Sequence, residues 1–290
     1  MMPARELKAL IKLLDDDQVY DSVRRRLIEH GQNAIPYLQG VIRDNDPHRK
    51  TRARLILREI HYSVFESEWI SMLRRFQGRD LHLEDTAWFI ARIGYPALDA
   101  EHYSRKIDEL AALVDKRIRL TDRPMAKLRR MVGVLANREG FTGNAENYYE
   151  ADNSFLNRVI DRKKGIPITL SVLYLLVGER LNIPLKGVGI PAHFMVKYVG
   201  PKHEYDEEIY VDPFHQGRFL GRLAVERFCL RAGLGFNENY LMPLENAEIV
   251  ERMLRNLVFV YTRTGNQEQL HRLQTILDLY AEHYTQLEEG

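Results

Sequence analysis

The sequence predicts an α+β fold that is mostly helical, with a small antiparallel sheet in the second half of the chain. Apolar residues recur with helical spacing before residue 140 and again after residue 245. Three short segments between residues 185 and 214 are instead rich in β-branched and aromatic residues, which favour strands. Because these segments follow one another without long helices between them, we expect antiparallel pairing.

The composition is that of a globular protein and excludes two classes of partner. Of the 290 residues, 45% are hydrophobic, which is enough to fill a substantial core. The formal net charge is only +1, and the basic runs are interrupted by acids and have few aromatic residues between them. The longest apolar stretches are too short to span a bilayer. We therefore expect the protein to bind neither nucleic acid nor membranes.

Cysteine usage and the N-terminal segment favour the cytoplasm. The sequence has a single cysteine, Cys229, so no intrachain disulfide can form, as is usual in a reducing compartment. The first residues are interrupted by charge and show no signal-peptide pattern. No glycine-rich phosphate-binding loop is present, and we expect no cofactor.

The first 62 residues contain a weak internal repeat. The sequence "RRRLI" at residues 24–28 recurs as "RARLI" at residues 52–56, and an acidic turn precedes each copy. A repeat of this length indicates paired helices of the HEAT kind, which bury their apolar faces by stacking on neighbours. We expect HEAT-like helical repeats over residues 1–62.

Residues 63–245 form the predicted α+β core, which begins with a helical lead-in and a polar connector at residues 143–154. A short helix follows and ends at Lys163, and Pro167 then suits the first turn of the next helix. The three strands come after this helix, as "LKGVGIP", "HFMVKYV" and "EEIYVDPF". Residues 246–290 predict two amphipathic helices, arranged as a tetratricopeptide-like hairpin.

The predicted core contains three features that often occur together in cysteine-dependent enzymes. They are a helix start near Pro167, a histidine at His193 in the second predicted strand, and Asp212 at the end of the third. In a cysteine-histidine-aspartate site, the histidine deprotonates a thiol at a helix start and the aspartate orients the imidazole. No cysteine occupies that helix start here.

The stretch "NSFLNRVIDRKKGIPITLSVLYLLVGERLNIPLKGVGIPAHFMVKY", followed by "YVDPFHQG", resembles the SirB-type branch of the transglutaminase-like superfamily. It is also similar to a domain of certain eukaryotic F-box proteins, and the resemblance extends over roughly residues 81–279. It implies a transglutaminase-like (papain-like) antiparallel-sheet core. It further implies that Gly165, His193 and Asp212 match the catalytic glycine, histidine and aspartate, whereas Pro167 occupies the cysteine position.

Two hypotheses of different classes follow from this resemblance. The first is a non-catalytic protein that binds a protein or peptide partner, as a regulator, with Asn153, Arg162, Gly165, Pro167 and Thr169 as candidate binding residues. The second is an atypical hydrolase or peptidase-like enzyme, in which the His193–Asp212 pair acts on water or, less favourably, on Thr169. The sequence leaves the partner, the substrate and the oligomeric state open.

Each candidate also has a purely structural interpretation. His193 can be a hydrogen-bonded core histidine, and Asp212 can cap the turn that Pro213 begins. Asn153 with Ser154 can cap the following helix, and Arg162 suits the negative end of that helix.

The single cysteine and the histidines suggest two further kinds of site, a displaced nucleophile and a metal site. Cys229 follows Phe228 in a predicted helix and is expected to be a small buried residue rather than a displaced nucleophile, because no helix start presents it. The histidines His193, His203 and His215, with Glu204 and Asp212 nearby, match no compact zinc pattern, so no metal site is predicted.

Overall fold

The structure, a computed structural model, describes residues 3–76, 80–201, 207–233 and 235–288. It divides into two compact units, Met1–Arg75 and Phe76–Gly290. The second unit combines helices with an antiparallel sheet, which confirms the predicted α+β class. Among the described residues, no helix has both the length and the apolar character needed to cross a membrane.

The first unit consists of helices around an apolar core that includes Leu7, Leu27 and Ile60. Its helices are α1 (Pro3–Lys12), α2 (Tyr20–Glu29), α3 (Ile35–Ile42) and α4 (Pro47–Arg75), with a 3-10 turn at Gly31–Ala34. The 29-residue helix α4 continues through residue 62, where the sequence predicted the end of the repeats. The HEAT-like character of this unit stays a prediction.

The second unit contains the remaining described α-helices. They are α5 (Leu83–Gly94), α6 (Ala100–Asp115), α7 (Pro124–Val132), α8 (Leu156–Arg162), α9 (Pro167–Arg180), α10 (Arg222–Arg231), α11 (Asn246–Thr264) and α12 (Gln267–Glu288). A capping box at Glu245 starts α11, and Gly265 ends it with a left-handed backbone at φ 72°. The tetratricopeptide-like assignment of α11 and α12 stays a prediction.

The strands of the second unit form two sheets. They are β1 (Thr142–Gly143), β2 (Lys164–Gly165), β3 (Leu185–Val188), β4 (Met195–Tyr198), β5 (Ile209–Asp212), β6 (Arg218–Gly221) and β7 (Pro243–Leu244). The main sheet is antiparallel in the order β6-β5-β4-β3-β7, and β1 pairs with β2 in parallel. The three predicted segments became β3, β4 and β5, whereas β6 and β7 were not predicted.

Helix α9 lies at the centre of the second unit. It packs against α6, α8, β3 and β4, and nearly all of its side chains are buried. Pro167 is its first residue and Ile166 its N-cap. The backbone before α9 is fixed by the β1–β2 pairing and by a hydrogen bond from Ile166 N to Asn153 O at 3.2 Å. This packing fixes where the amino end of α9 lies.

Candidate functional site

His193 and Asp212 lie at the same end of two neighbouring strands. Asp212 is the last residue of β5, which pairs antiparallel with β4. His193 precedes β4 by two residues, so its predicted position within a strand is wrong. The reason is a tight turn, in which Ala192 adopts a left-handed φ of 59° and His193 N donates to Ile190 O at 3.1 Å. The turn ends at His193 and places this residue at the end of the main sheet.

The His193 and Asp212 side chains form a buried hydrogen bond. The Nε2 atom of His193 is 2.9 Å from Oδ2 of Asp212, and the two residues are 7% and 2% exposed. The other oxygen, Oδ1, accepts the backbone N–H groups of Phe214 at 3.1 Å and of His215 at 3.2 Å. Asp212 therefore caps the turn through Oδ1 and contacts the imidazole through Oδ2.

A second histidine reaches the same carboxylate. Nδ1 of His215 is 2.7 Å from Oδ2 of Asp212, and the His215 side chain is half exposed. Burial opposes ionisation of Asp212, but the hydrogen bonds and charges of His193 and His215 outweigh it and hold the Asp212 pKa below the usual range. Burial, together with the nearby Asp212 charge, raises the pKa of the Tyr174 hydroxyl.

Aromatic rings hold the imidazole of His193 in place. The ring of Phe228, on α10, lies 5.1 Å from the His193 ring centre, and Phe214 meets the same ring edge-on at 6.0 Å. The sequence did not point to Phe214, and it suggested His215 only as a possible metal ligand, although "DPFHQG" spaces Asp212 and His215 three residues apart. That spacing is the signal that could have connected them.

A cleft of about 740 Å³ opens beside His193 at the amino end of α9. Its lining residues come from the connector, α9, the turn before β4, and α11: Tyr148, Tyr149, Ile166, Pro167, Ile168, Ala192, His193, Phe194, Arg252, Arg255, Asn256 and Phe259. Pro167 and His193 thus face one cavity. We call it the α9 cleft.

Arg252 of α11 is a largely buried cation in the wall of the α9 cleft. Its Nη2 atom donates to the carbonyl oxygens of Ile190 at 3.1 Å and of His193 at 3.4 Å. Burial lowers the Arg252 pKa, against the opposing charges of Glu248 and Glu251. The arginine therefore fixes the backbone of the turn that carries His193. Sequence reasoning missed Arg252 because α11 is distant in the chain.

Asn153 supports the wall of the α9 cleft from behind. The side chain is fully buried, and its Nδ2 donates to Asn147 O at 2.7 Å and to Tyr148 O at 3.2 Å, while Oδ1 accepts from Asn144. It does not cap α8, since the N-cap is Phe155 and has no side-chain cap. The capping interpretation of Asn153 and Ser154 is therefore wrong, because the asparagine turns toward the connector instead.

Arg162 lies in a different cavity. It forms ion pairs with Glu150 at 2.5 Å and Asp152 at 3.2 Å, and it lines a separate cleft of about 630 Å³ beside Tyr149. The structure does not place it among the residues of the α9 cleft.

Gly165 and Thr169 are buried around the amino end of α9. A Cβ atom on Gly165 would lie 2.8 Å from Val159 Cγ2, so glycine is needed there for close packing. Thr169 is fully buried, and its hydroxyl has no hydrogen-bond partner within the described part of the chain. Thr169 is not among the residues that line the α9 cleft.

Cys229 is buried in the core of the second unit, on α10 and next to Phe228. Burial raises the pKa of its thiol, which disfavours the nucleophilic thiolate.

Comparisons with known proteins show that residues of the second unit are similar to an established superfamily. Residues 101–255 match the model of the Transglutaminase-like superfamily. The chain is 34% identical over 200 residues to a UPF0162 protein of Xylella fastidiosa (strain 9a5c), covering 66% of this chain and 69% of that protein. It is 36% identical over 118 residues to a UPF0162 protein of Vibrio cholerae, covering 40% and 42%.

A mammalian protein shares part of the same region. The chain is 31% identical over 155 residues to F-box only protein 21 of Mus musculus, covering 52% of this chain and 24% of that protein. No solved structure matches the chain. Because the family model spans just over half of the residues, the chain belongs to the transglutaminase-like superfamily.

Proposed function

We propose that this protein is a non-catalytic, SirB-type member of the superfamily that binds a segment of a partner protein in the α9 cleft, as a regulator. The observation that carries the proposal is that Pro167 and His193 line one cavity. In this assignment Pro167 occupies the position of the nucleophile. A proline ring offers no atom that can attack a carbonyl group, so the cavity keeps a binding shape without a nucleophile.

The lining of the α9 cleft fits an acidic, partly apolar ligand. Arg252 and Arg255 both face it, and no acidic side chain is among the described residues that line it. Arg255 forms an ion pair with Glu251 at 2.6 Å. The positive charges that attract an anion are therefore mainly Arg252 and the amino end of the α9 helix dipole. Ile166 and Ile168 supply apolar contact area beside these charges.

Two exposed aromatic residues line the α9 cleft. Phe259 is 53% exposed and Tyr149 is 41% exposed, and their ring centres lie 5.7 Å apart. The Arg263 guanidinium stacks 4.2 Å from the Tyr149 ring centre. Aromatic and arginine side chains dominate the binding energy of many protein interfaces. We therefore expect the partner to be a peptide segment that carries a carboxylate next to an apolar side chain.

Selection from a random peptide library displayed on phage, with the full-length protein as bait, tests this function. Enriched peptides should contain Asp or Glu beside an apolar residue, and their affinity can be measured by fluorescence polarisation. Phe259→Ser should weaken binding at least about tenfold, which corresponds to about 1.4 kcal/mol. The matched control is Phe219→Ser on β6, because Phe219 is also exposed but lies outside the α9 cleft.

The proposal fails if no peptide is enriched, or if Phe259→Ser and Phe219→Ser bind the selected peptides equally well. An enriched set without acidic residues would contradict the role given to Arg252.

A second candidate function, an atypical hydrolase, is favoured by the retained His193–Asp212 pair. Nδ1 of His193 has no hydrogen-bond partner within the described residues, which leaves it available to take a proton from water in the α9 cleft. A screen of amide and ester substrates separates the two functions. Turnover that His193→Ala abolishes, with an unchanged melting temperature, would establish the hydrolase and overturn the non-catalytic proposal.

A further inference from the structure

Three potential metal ligands converge on one point at the end of the main sheet. They are Nε2 of His193, Oδ2 of Asp212 and Nδ1 of His215, and all three atoms lie within 4.8 Å of one another. Oδ2 is the common neighbour, at 2.9 Å from His193 and 2.7 Å from His215. His203 and Glu204, which the sequence placed in the same group, lie outside the described residues.

The backbone accounts for this convergence. The antiparallel pairing of β4 and β5 brings the residues before β4 next to the end of β5, so His193 meets Asp212. The turn after β5 then brings His215 back toward the carboxylate, with Gln216 and Gly217 in left-handed conformations at φ 55° and 68°. No compact sequence motif is required, because two strands and one turn assemble the group.

The donor set suits a divalent transition metal. Two imidazoles and one carboxylate are typical of zinc and of related ions such as cobalt or non-haem iron, with remaining positions filled by water. At bond lengths of about 2.1 Å, two ligands at a tetrahedral angle are about 3.4 Å apart. The hydrogen-bonded atoms of His193 and Asp212 would therefore need to separate by only about 0.5 Å.

The surroundings orient the carboxylate and leave a path for an ion. Oδ1 of Asp212 is held by the backbone N–H groups of Phe214 and His215, which leaves Oδ2 to face the two imidazoles. Such hydrogen bonds to the second oxygen commonly orient metal-binding carboxylates. The His215 side chain is 54% exposed, so the group opens to solvent on that side while His193 and Asp212 are buried.

We propose that His193, Asp212 and His215 form a binding site for a divalent transition metal of the zinc class, with His215 as the solvent-exposed ligand. This site does not depend on the use of the α9 cleft for a peptide. The sequence-based expectation was instead that no metal is bound, and it rested on spacings along the chain and on the expected exposure of the histidines at 203 and 215. Water completes the coordination on the exposed side.

Titration of the tag-free, full-length protein with Co²⁺ and Zn²⁺ after chelator treatment tests the site. One equivalent of Co²⁺ per chain should produce visible d–d absorption of a low-coordinate site, and Zn²⁺ should displace it. His215→Ala should weaken Zn²⁺ binding, measured by calorimetry, at least about 100-fold. The matched control is His271→Ala on α12, an exposed histidine outside the group, which should bind like the wild type.

A second variant separates ligation from folding. His215→Gln keeps a side chain that can donate a hydrogen bond to Asp212 but is a poor ligand for zinc, so it should fold normally and lose the metal. Circular dichroism confirms folding in each variant. The proposal is overturned if the wild type takes up no stoichiometric metal, or if His215→Gln and wild type bind it equally.

Discussion

At the scale of single residues, Pro167, His193 and Asp212 each have a structural role at the position they occupy. Proline suits the first position of α9, where an N–H group would have no partner in the helix. His193 and Asp212 still form their hydrogen bond, and each also stabilises local structure through the turn before β4 and the cap after β5. These structural roles preserve the pair independently of catalysis.

This arrangement predicts the behaviour of a thiol placed at the start of α9. In a Cys229→Ala background, Pro167→Cys should react with iodoacetamide at neutral pH at least about tenfold faster than Leu230→Cys. The expected cause is that the helix amino end and the His193 imidazole stabilise a thiolate. Leu230 is an exposed residue of α10, so its cysteine variant supplies the reference rate.

Adding His193→Ala to Pro167→Cys should remove most of the enhancement. Equal rates for the Pro167→Cys and Leu230→Cys proteins would show that the imidazole does not face the start of α9.

At the scale of secondary-structure elements, a polar network fixes the connector that forms one wall of the α9 cleft. The Tyr95 hydroxyl, just after α5, donates to Asp152 in the connector, and Arg158 of α8 binds the same carboxylate at 3.0 Å. Burial raises the pKa of Tyr95 to about 12, and the hydrogen bond to Asp152 and its charge add to this effect. The network thus connects two helices to the loop that carries Tyr148 and Tyr149.

The Tyr95 network predicts a loss of stability in alkali. Because the Tyr95 pKa is about 12 in the folded protein and about 10 in the unfolded chain, the unfolded chain releases this proton first. The stabilisation that the protonated Tyr95 hydroxyl gives to the folded protein is fully present below pH 10, and it is lost as the pH rises toward 12. Urea unfolding should show wild type more stable than Tyr95→Phe at pH 8, by about 1 kcal/mol, and the difference should shrink between pH 10 and 12.

A difference between wild type and Tyr95→Phe that stays constant from pH 8 to pH 12 would contradict this assignment of the Tyr95 pKa. Circular dichroism at each pH provides the control that both proteins are folded before urea is added.

The individual helices and strands differ in how well the sequence predicts them. Helix α9 and strands β3 to β5 are apolar enough to be recognised from composition and periodicity. Strand β7 is two residues long and begins with a proline, and β6 is largely exposed, so neither has the apolar pattern of a strand. Their pairing depends on the rest of the sheet.

The site was predictable where a motif connects neighbouring residues and unpredictable where the fold does. Motif spacing led to His193, Asp212 and Pro167. Arg252 comes from α11, far after His193 in the chain, and the packing of α11 against α5, α9 and the connector brings it to the turn. The contact of His215 with Asp212 was not predicted, because spacing along the chain does not reveal which carboxylate a turn residue approaches.

At the scale of the whole molecule, each unit has a hydrophobic core of its own. The core cluster around Leu27 is formed by residues between Leu7 and Ile60, all in the first unit. Helix α9 supplies a central part of the core of the second unit, including the fully buried Leu173. Cores built from separate sets of apolar contacts can open in separate reactions.

The separate cores predict that destabilisation will stay within the unit where it is introduced. Leu27→Ala should cost about 2–5 kcal/mol through the lost methyl groups and the remaining cavity. Hydrogen exchange followed by mass spectrometry should then show faster exchange in α1 to α4 and unchanged exchange in α9. Leu173→Ala, a deletion of the same size at an equally buried residue of α9, should give the opposite pattern. Faster exchange in both units after either change would mean that the two cores unfold as one cooperative structure.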